Sequence, residues 1–240
     1  MSTSGPDPIL LEQVSKNFGS FLALDRVSLS LSKGRFALLA GSNGAGKSTL
    51  LRLLAGLCKP SSGRVLIQGA DPGRTPTVRA TIGLLSHQTL LYDDLSAREN
   101  LLFATRLYDL PERADRVSQA LLHAGLEDRQ HHRVRTFSRG MKQRLALARA
   151  TLHQPSILLF DEPYTGLDQR ASDTLSRQLS DLAAQGCTSL LVTHKMDTAA
   201  QLIDHLFILK RGCICHDEPW APGRAAELHA VYERHLEENL

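Results

Sequence analysis

Hydrophobic and polar residues follow two different patterns along this chain. Short apolar runs bounded by glycine or charged residues occur before residue 90 and after residue 156, whereas apolar residues between about 96 and 152 recur at helical spacing. Short bounded runs are typical of β-strands, and a period of three to four residues is typical of amphipathic helices. The predicted strands are 9–14, 27–31, 36–40, 64–68, 82–85, 157–160, 189–192, 206–209 and 213–216.

Predicted helices separate several of these strands. One follows residue 49 and ends near Gly56 and Pro60, and another covers about 170–185. Strands that alternate with helices predict an α/β fold with a mostly parallel sheet, preceded here by an N-terminal antiparallel β part. The prediction divides the chain into a flexible tail (1–8), a single domain (9–217) with an α-helical subdomain inserted at about 89–152, and a C-terminal helical tail (218–240).

The sequence GSNGAGKST follows the predicted strand 36–40 and fits the pattern G-x-x-x-x-G-K-[ST]. Backbone N–H groups of such a loop bind phosphate oxygens, the lysine brings positive charge to the outer phosphates, and the next hydroxyl binds Mg²⁺. The motif predicts a nucleoside triphosphate site on a P-loop NTPase (RecA-like) core. The predicted nucleotide-binding residues of the loop are Gly41, Ser42, Asn43, Gly44, Ala45, Gly46, Lys47, Ser48 and Thr49.

Two acidic residues end the apolar strand 157–160. Ligands of open parallel sheets lie beyond the carboxyl ends of the strands, so Asp161 is predicted to reach Mg²⁺ together with Ser48. Glu162 is predicted to orient and deprotonate an attacking water, as phosphoryl transfer requires. A surface acidic pair after a strand is ordinary by itself, and it is the upstream phosphate loop that favours the catalytic interpretation.

His194 and Gln88 follow two further predicted strands at the same edge of the sheet. The histidine could hydrogen-bond the γ-phosphate or the attacking water, and the glutamine amide could bind Mg²⁺ or water. A single histidine after a strand is usually structural, and a single glutamine in a loop carries little information. The residues alone therefore leave both the catalytic and the structural interpretation open.

Composition argues against several classes of protein. The net charge is +3 with no clustered basic run, and only 5% of residues are aromatic, so nucleic-acid binding is not indicated. No apolar stretch approaches the ~18–20 residues that span a bilayer. The N-terminal MSTSGPDP has neither the basic nor the apolar segment of a secretory signal. We therefore expect a cytoplasmic chain that reaches a membrane only through a partner.

Six motifs occur in the order found in the ATP-binding subunit of ABC transporters, which the chain resembles over about residues 9–217. GSNGAGKST matches the first nucleotide motif and ILLFDEP the second, while Gln88 and His194 occupy the glutamine-loop and switch-histidine positions. FSRGMKQRLALARA, residues 137–150, is similar to the family signature with its helix, and TGLD matches the loop that carries Asp168. Six motifs in one order are far more specific than any one of them.

The resemblance implies an ATPase that uses ATP and Mg²⁺, with Lys47, Glu162 and His194 as catalytic residues. Two nucleotide-binding subunits, most simply a homodimer, would close head-to-tail around two ATP molecules, and Ser138 and Gly140 would contact the ATP of the partner. Phe18, in KNFG, lies where the family places an aromatic residue that stacks on adenine, a contact of roughly 1–3 kcal/mol. The remaining implied binding residue is Asp168.

The resemblance also implies a separate transmembrane permease as partner. The helical subdomain and the residues after Gln88 would contact it, which places the chain peripherally at the cytoplasmic face of the inner membrane. Two signature residues depart from the family pattern L-S-G-G-Q, since Arg139 replaces a glycine and Met141 a glutamine. Arg139 could add charge near the shared ATP or point to solvent, and solvent is the favoured interpretation.

The cargo is predicted only indirectly. Residues 84–110 and the signature are similar to the ATPase of the haem exporter of cytochrome c maturation. Drug, lipid and polysaccharide exporters share much of this pattern and stay as alternatives. A soluble ABC ATPase in translation or DNA repair is disfavoured by the single set of motifs, and a nucleotide sensor without turnover is disfavoured by Glu162.

Overall fold

The computed structural model describes residues 7–237, except for the side chains at 222, 236 and 237. Most of the tail predicted at 1–8 lies outside the described residues. The strands are β1 (Ile9–Phe18), β2 (Phe21–Leu31), β3 (Phe36–Ala40), β4 (Ser62–Ile67), β5 (Ile82–Leu85), β6 (Ile157–Asp161), β7 (Thr188–Val192), β8 (His205–Lys210) and β9 (Cys213–Pro219). The α-helices are α1 (Lys47–Leu54), α2 (Pro76–Arg79), α3 (Ala97–Leu107), α4 (Arg113–His123), α5 (Arg139–Thr151), α6 (Gln169–Ala184), α7 (Met196–Ala200) and α8 (Leu228–Glu237).

The described strands form two sheets. One has six strands in the order β5-β6-β7-β3-β8-β9, parallel except for the antiparallel pair β8–β9, and the other is the antiparallel sheet β2-β1-β4. This architecture confirms the predicted α/β fold, the mostly parallel sheet and the N-terminal antiparallel part. Strands β1 and β2 are longer than predicted because they continue, past the apolar runs, to a tight turn that pairs Phe18 with Phe21.

Both faces of the parallel sheet are buried. Alternate residues of β3 enter different cores, with Ala37 and Leu39 facing α1 and the antiparallel sheet and Leu38 facing α6 and α7. Side chains of a strand point alternately to opposite faces, so a sheet covered on both sides needs apolar residues at every position. This burial explains why β3 and residues 157–160 of β6 are continuous apolar runs instead of alternating ones.

Helices α3, α4 and α5 enclose a third core inside the predicted helical subdomain. Leu101, Val117, Leu121 and Leu145 are almost fully buried there. A capping box begins α3, since the Ser96 hydroxyl accepts from the Glu99 N–H and the Glu99 carboxylate accepts from the Ser96 N–H. The segment 97–151 therefore has its own packing and is joined to the parallel sheet through α5.

The C-terminal segment packs onto the domain. The boundary predicted between residues 217 and 218 falls inside β9, and Trp220 and Leu228 are buried in the core beneath α7. None of the helices in the described part of the chain combines the length and the apolarity needed to span a bilayer.

Candidate nucleotide-binding and catalytic site

A cavity of about 260 Å³ opens beside α1, at the edge of the sheet where β3, β6 and β7 end. Three parts of the predicted site meet in it: the glycine-rich loop, the acidic pair at the end of β6 and the histidine after β7. The cavity is lined by Phe21, Ala23, Asn43, Gly44, Ala45, Gly46, Lys47, Ser48, Thr49, Asp161, Glu162, Val192 and His194.

The glycine-rich loop follows β3 and leads directly into α1. Gly46 has φ 110°, and a Cβ at this position would lie 2.5 Å from the Ala23 carbonyl oxygen and 2.7 Å from Leu24 Cδ2. Only glycine combines this backbone conformation with so close an approach to β2. The loop is thereby held against β2, with the N-terminus of α1, the positive end of its dipole, at the cavity.

The Lys47 ammonium is folded into the loop. It is largely buried and donates hydrogen bonds to the carbonyl oxygens of Gly41 at 2.6 Å and Ser42 at 2.9 Å. Burial lowers the pKa of Lys47, and the negative charges of Glu162 and Asp161 oppose this effect. The geometry places one positive charge between the loop and the acidic pair, which is where the outer phosphates of a bound nucleotide are expected.

Ser48 and Asp161 are adjacent although they are far apart in sequence. The Ser48 hydroxyl donates to Asp161 Oδ1 at 3.2 Å. A hydroxyl and a carboxylate oxygen side by side, next to a phosphate-binding loop, are the hard oxygen donors that Mg²⁺ prefers. These two residues therefore fit the predicted metal role, and when bound there the ion would neutralise phosphate charge.

Glu162 lines the cavity and has a constrained backbone conformation. Its φ is 52°, in the left-handed region that few non-glycine residues adopt, and its N–H donates to the Val192 carbonyl at 2.9 Å. Burial raises the pKa of its carboxyl, while the charges of His194 and Lys47 act in the opposite direction. Glu162 Oε1 is buried and has no hydrogen-bond partner among the described residues, although His194 Nε2 lies 3.4 Å away.

His194 contacts both Glu162 and the glycine-rich loop. Its backbone N–H donates to Glu162 Oε2 at 3.2 Å, and its Nε2 lies 3.4 Å from Glu162 Oε1 and 3.1 Å from Asn43 Oδ1. The ring is about half exposed. A histidine in contact with both Glu162 and the loop fits the predicted role of orienting the reacting water or the γ-phosphate, and that role stays a prediction.

Seven predicted site residues are not among those that line this cavity: Phe18, Gly41, Ser42, Gln88, Ser138, Gly140 and Asp168. Gln88 is exposed, and its carbonyl accepts a hydrogen bond from Ser86. Ser138 caps α5 by accepting from the Met141 N–H at 3.3 Å, and Gly140 lies in the first turn of that helix. Asp168 caps α6 by accepting from the Ala171 N–H at 2.8 Å. Their predicted roles in binding ATP or Mg²⁺ therefore stay predictions, and the structure assigns Ser138 and Asp168 a capping role in addition.

The β1–β2 turn contributes Phe21, and not Phe18, to the residues that line the cavity, and the predicted stacking of Phe18 on adenine stays a prediction. Phe18 does not line the cavity but is half exposed at the end of β1, with Lys16 Nζ 5.0 Å from its ring centroid. Phe21, which is 60% exposed, and Ala23 form the wall instead. Sequence reasoning missed both Phe21 and Ala23. The segment NFGSF has an aromatic residue on each side of the turn, so Phe21 was as good a candidate as Phe18.

Sequence reasoning also missed the contacts of Lys195, which lies next to His194 in the chain. Its ammonium donates to the Ser172 hydroxyl at 2.8 Å and lies 5.9 Å from the ring centroid of the buried Tyr164. It thereby joins the segment that follows His194 to α6 and to the loop between β6 and α6. A lysine beside a histidine gave no sequence signal for this contact, because its partners are distant along the chain.

Comparison with known proteins agrees with this geometry. A protein-family model described as ABC transporter matches residues 24–165. The chain is 40% identical over 210 residues to the Nod factor export ATP-binding protein I of Rhizobium johnstonii, an alignment covering 86% of this chain and 68% of the relative.

The chain belongs to the ABC transporter family. A second relative, the ABC transporter ATP-binding protein NatA of Bacillus subtilis, is 37% identical over 222 residues, which are 91% of this chain and 87% of the relative. A solved dimeric ATP-binding cassette in a post-hydrolysis state, bound to ADP and Pi, is similar with a TM-score of 0.81 and 29% identity, covering 89% of this chain and 99% of that one.

The family assignment confirms the coarser part of the sequence prediction. This ABC protein is a P-loop ATP-binding subunit, and it hydrolyses ATP in a reaction coupled to transport. The predicted haem exporter subfamily is not singled out. The relatives named above are a Nod factor exporter subunit and NatA, and a further one, 37% identical over 209 residues, is a probable sulfate/thiosulfate import protein of Chlorella vulgaris.

Proposed function

We propose that this ABC ATPase powers export through a separate membrane permease, as a pair of chains that close around two molecules of ATP. The observation that carries the proposal is the division of the predicted site. The glycine-rich loop, the acidic pair and His194 share one cavity, whereas Ser138 and Gly140 lie outside it, at the start of α5. A second chain, placed head-to-tail, would supply these two residues to the first chain's ATP.

Each residue of the cavity has a defined task in this proposal. Lys47 stabilises negative charge on the outer phosphates, and Ser48 and Asp161 hold Mg²⁺. Glu162 accepts the proton of the attacking water, and its raised pKa increases its strength as a proton acceptor. His194 holds Glu162 and the loop residue Asn43 at fixed positions relative to each other through its contacts with both. Catalysis by positioning and charge neutralisation is what phosphoryl transfer demands of a protein.

An exposed apolar surface on the helical subdomain is the proposed docking site of the permease. Leu90, Tyr92, Phe103 and Leu107 are 52%, 54%, 44% and 72% exposed, and the rings of Tyr92 and Phe103 pack edge to face at 5.1 Å. Exposed apolar clusters of this kind mark interaction sites. Docking of cytoplasmic permease helices here would hold the ATPase peripherally at the cytoplasmic face of the inner membrane, next to the segment that carries Gln88.

Haem is the finer cargo proposal, and it depends only on the resemblance of residues 84–110 and the signature. A second candidate is another exported compound, and it is favoured by the 40% identity to a Nod factor export protein over most of this chain. The segments that suggest haem contact the membrane partner and not the cargo. The identity of the permease would therefore decide between the two.

Co-purification from membranes tests the proposal. The tagged chain should retain a polytopic membrane protein in detergent, and Tyr92→Asp with Phe103→Asp should release it while ATP binding stays unchanged. Leu57→Asp is the matched control, because Leu57 is 64% exposed but lies after α1, outside the helical subdomain. Recovery of ribosomes or DNA instead of a membrane protein would overturn the transport function.

A further inference from the structure

The residue that departs most from the expected signature, Arg139, lies directly over the loop between β6 and α6. A Cβ added to Gly166 would lie 2.5 Å from Arg139 Nε, 2.6 Å from Cζ and 2.7 Å from Cδ. The side chain thus occupies the space that any larger residue at 166 would need. Arg139 is exposed to solvent, as the interpretation favoured from the sequence expects. It also packs on Gly166, a contact that this interpretation did not include.

The two helices that begin at this point are also in contact. A Cβ on Gly140 would lie 3.2 Å from the Cβ of Ala171, so the first turns of α5 and α6 approach closely. Ser138 caps one helix and Asp168 caps the other. The signature and the loop before α6 therefore form one surface, and Arg139 covers the point at which they meet.

The loop under Arg139 leads directly to the catalytic base. The Thr165 N–H donates to the Glu162 carbonyl at 3.2 Å, and Gly166 follows with φ +71°. On the other side, Tyr164 is buried and its hydroxyl lies 3.3 Å from the Ser176 hydroxyl of α6. Gly166 thus lies between the buried Tyr164 and Asp168, the cap of α6, and is four residues from Glu162. The guanidinium of Arg139 packs on it.

We propose that Arg139 is a positioning residue that couples the signature to the catalytic base of the same chain by packing on Gly166. When Ser138 and Gly140 engage the ATP bound to a partner chain, the first turn of α5 is held, and Arg139 transmits that restraint to the loop that carries Glu162. The inference rests on the proposed two-chain ATP site and specifies how one site senses the other. Small displacements of catalytic groups cost large factors in rate, so the contact acts on kcat.

Steady-state ATP hydrolysis by the full-length chain tests the inference. The variants are Arg139→Ala, Arg139→Lys, Gly166→Ala, the double variant Arg139→Ala with Gly166→Ala, and Arg170→Ala as a charge-matched control in the first turn of α6. For each variant, kcat, KM, nucleotide affinity and the thermal midpoint are measured. ATP-dependent dimerisation is measured with each change in a Glu162→Gln background.

Arg139→Ala is expected to lower kcat roughly tenfold, with KM, ATP affinity and dimerisation unchanged, because only the position of Glu162 is affected. Arg139→Lys should restore part of the rate, since its methylene groups can still lie on Gly166. The double variant should be no slower than the slower single variant, because the two changes disrupt one contact. Arg170→Ala should behave as wild type.

Three results would overturn the coupling role. The first is an unchanged kcat in Arg139→Ala, and the second is an equal loss of kcat in Arg170→Ala. The third is a loss of kcat in the double variant that equals the product of the losses in the two single variants. Weaker dimerisation of Arg139→Ala that lysine fully restores would also overturn it, since that pattern indicates direct contact with phosphate. Failure of the Glu162→Gln chain to dimerise with ATP would instead refute the two-chain site itself. If the Glu162→Gln chain dimerises with ATP but Arg139→Ala hydrolyses ATP at the normal rate, only the coupling role of Arg139 is refuted.

Discussion

Glu162 and His194 meet at the cavity through two contacts, a hydrogen bond from the His194 backbone N–H to Glu162 Oε2 at 3.2 Å and an approach of the imidazole Nε2 to Oε1 at 3.4 Å. The backbone hydrogen bond fixes the carboxylate whatever the state of the ring. The ring itself also reaches Asn43 in the glycine-rich loop. One side chain therefore links Glu162 to the glycine-rich loop.

Glu162→Gln should bind ATP normally and hydrolyse it at least about 100-fold more slowly, because a general base contributes 10²- to 10⁴-fold. The variant keeps the shape of the side chain, so ATP should also trap the closed pair of chains. Phosphate release and size-exclusion chromatography measure the two effects. Turnover near that of wild type would exclude Glu162 as the base.

The dependence of kcat on pH should show the raised pKa of Glu162. Burial raises this pKa, so kcat should begin to fall, as pH is lowered, at a higher pH than for an ordinary carboxyl group. The folded state also binds this proton more tightly than the unfolded chain, so the carboxyl favours folding more at low pH than at neutral pH. ATP affinity is measured over the same range as a control, and an acidic limb that follows affinity alone would contradict the assignment.

Lys47→Ala should weaken nucleotide binding. A hydrogen bond to a charged group contributes about 1.5–3 kcal/mol, which corresponds to roughly 10- to 150-fold in Kd. Equilibrium titration with a fluorescent ATP analogue measures the change. Lys33→Ala serves as the control because Lys33 is exposed and is not among the residues that line the cavity. Unchanged affinity in Lys47→Ala would refute the phosphate-loop assignment.

The two aromatic residues at the β1–β2 turn, Phe18 and Phe21, give separate predictions for ATP binding. Loss of a ring that stacks on adenine costs about 1–3 kcal/mol. Phe21 lines the cavity, so Phe21→Ala should weaken ATP binding by an amount in this range. Phe18→Ala should do the same if the predicted stacking at Phe18 forms, and Phe18→Tyr should then preserve affinity. Normal binding by both alanine variants would remove adenine recognition from this turn.

Leu159→Ala should lower the free energy of unfolding by about 2–5 kcal/mol, the usual cost of truncating a fully buried leucine. Leu159 is completely buried in the core between the two sheets. Urea unfolding followed by circular dichroism measures the loss. The exposed Leu57→Ala should change stability by less than about 0.5 kcal/mol. Equal effects of the two substitutions would contradict the described core.

Much of the site could be predicted because its chemistry is local in sequence. Gly41 to Thr49 carry a spacing that has a single well-known use, and Asp161 and Glu162 follow an apolar strand. By contrast, the wall formed by Phe21 and the contacts of Lys195 with Tyr164 and Ser172 depend on side chains that approach only in the folded chain. Neither periodicity nor a motif indicates which of these side chains approach one another.

The sequence by itself determined the two-sheet α/β fold, the phosphate loop, the acidic pair and the family, because each depends on hydrophobic period or on a fixed spacing of residue types. Only the tertiary structure decided which residues touch. It placed the His194 ring between Glu162 and Asn43, kept Ser138 outside the cavity of its own chain, and laid Arg139 on Gly166. These contacts join segments separated by tens of residues, and their distances are set by how the strands and helices pack.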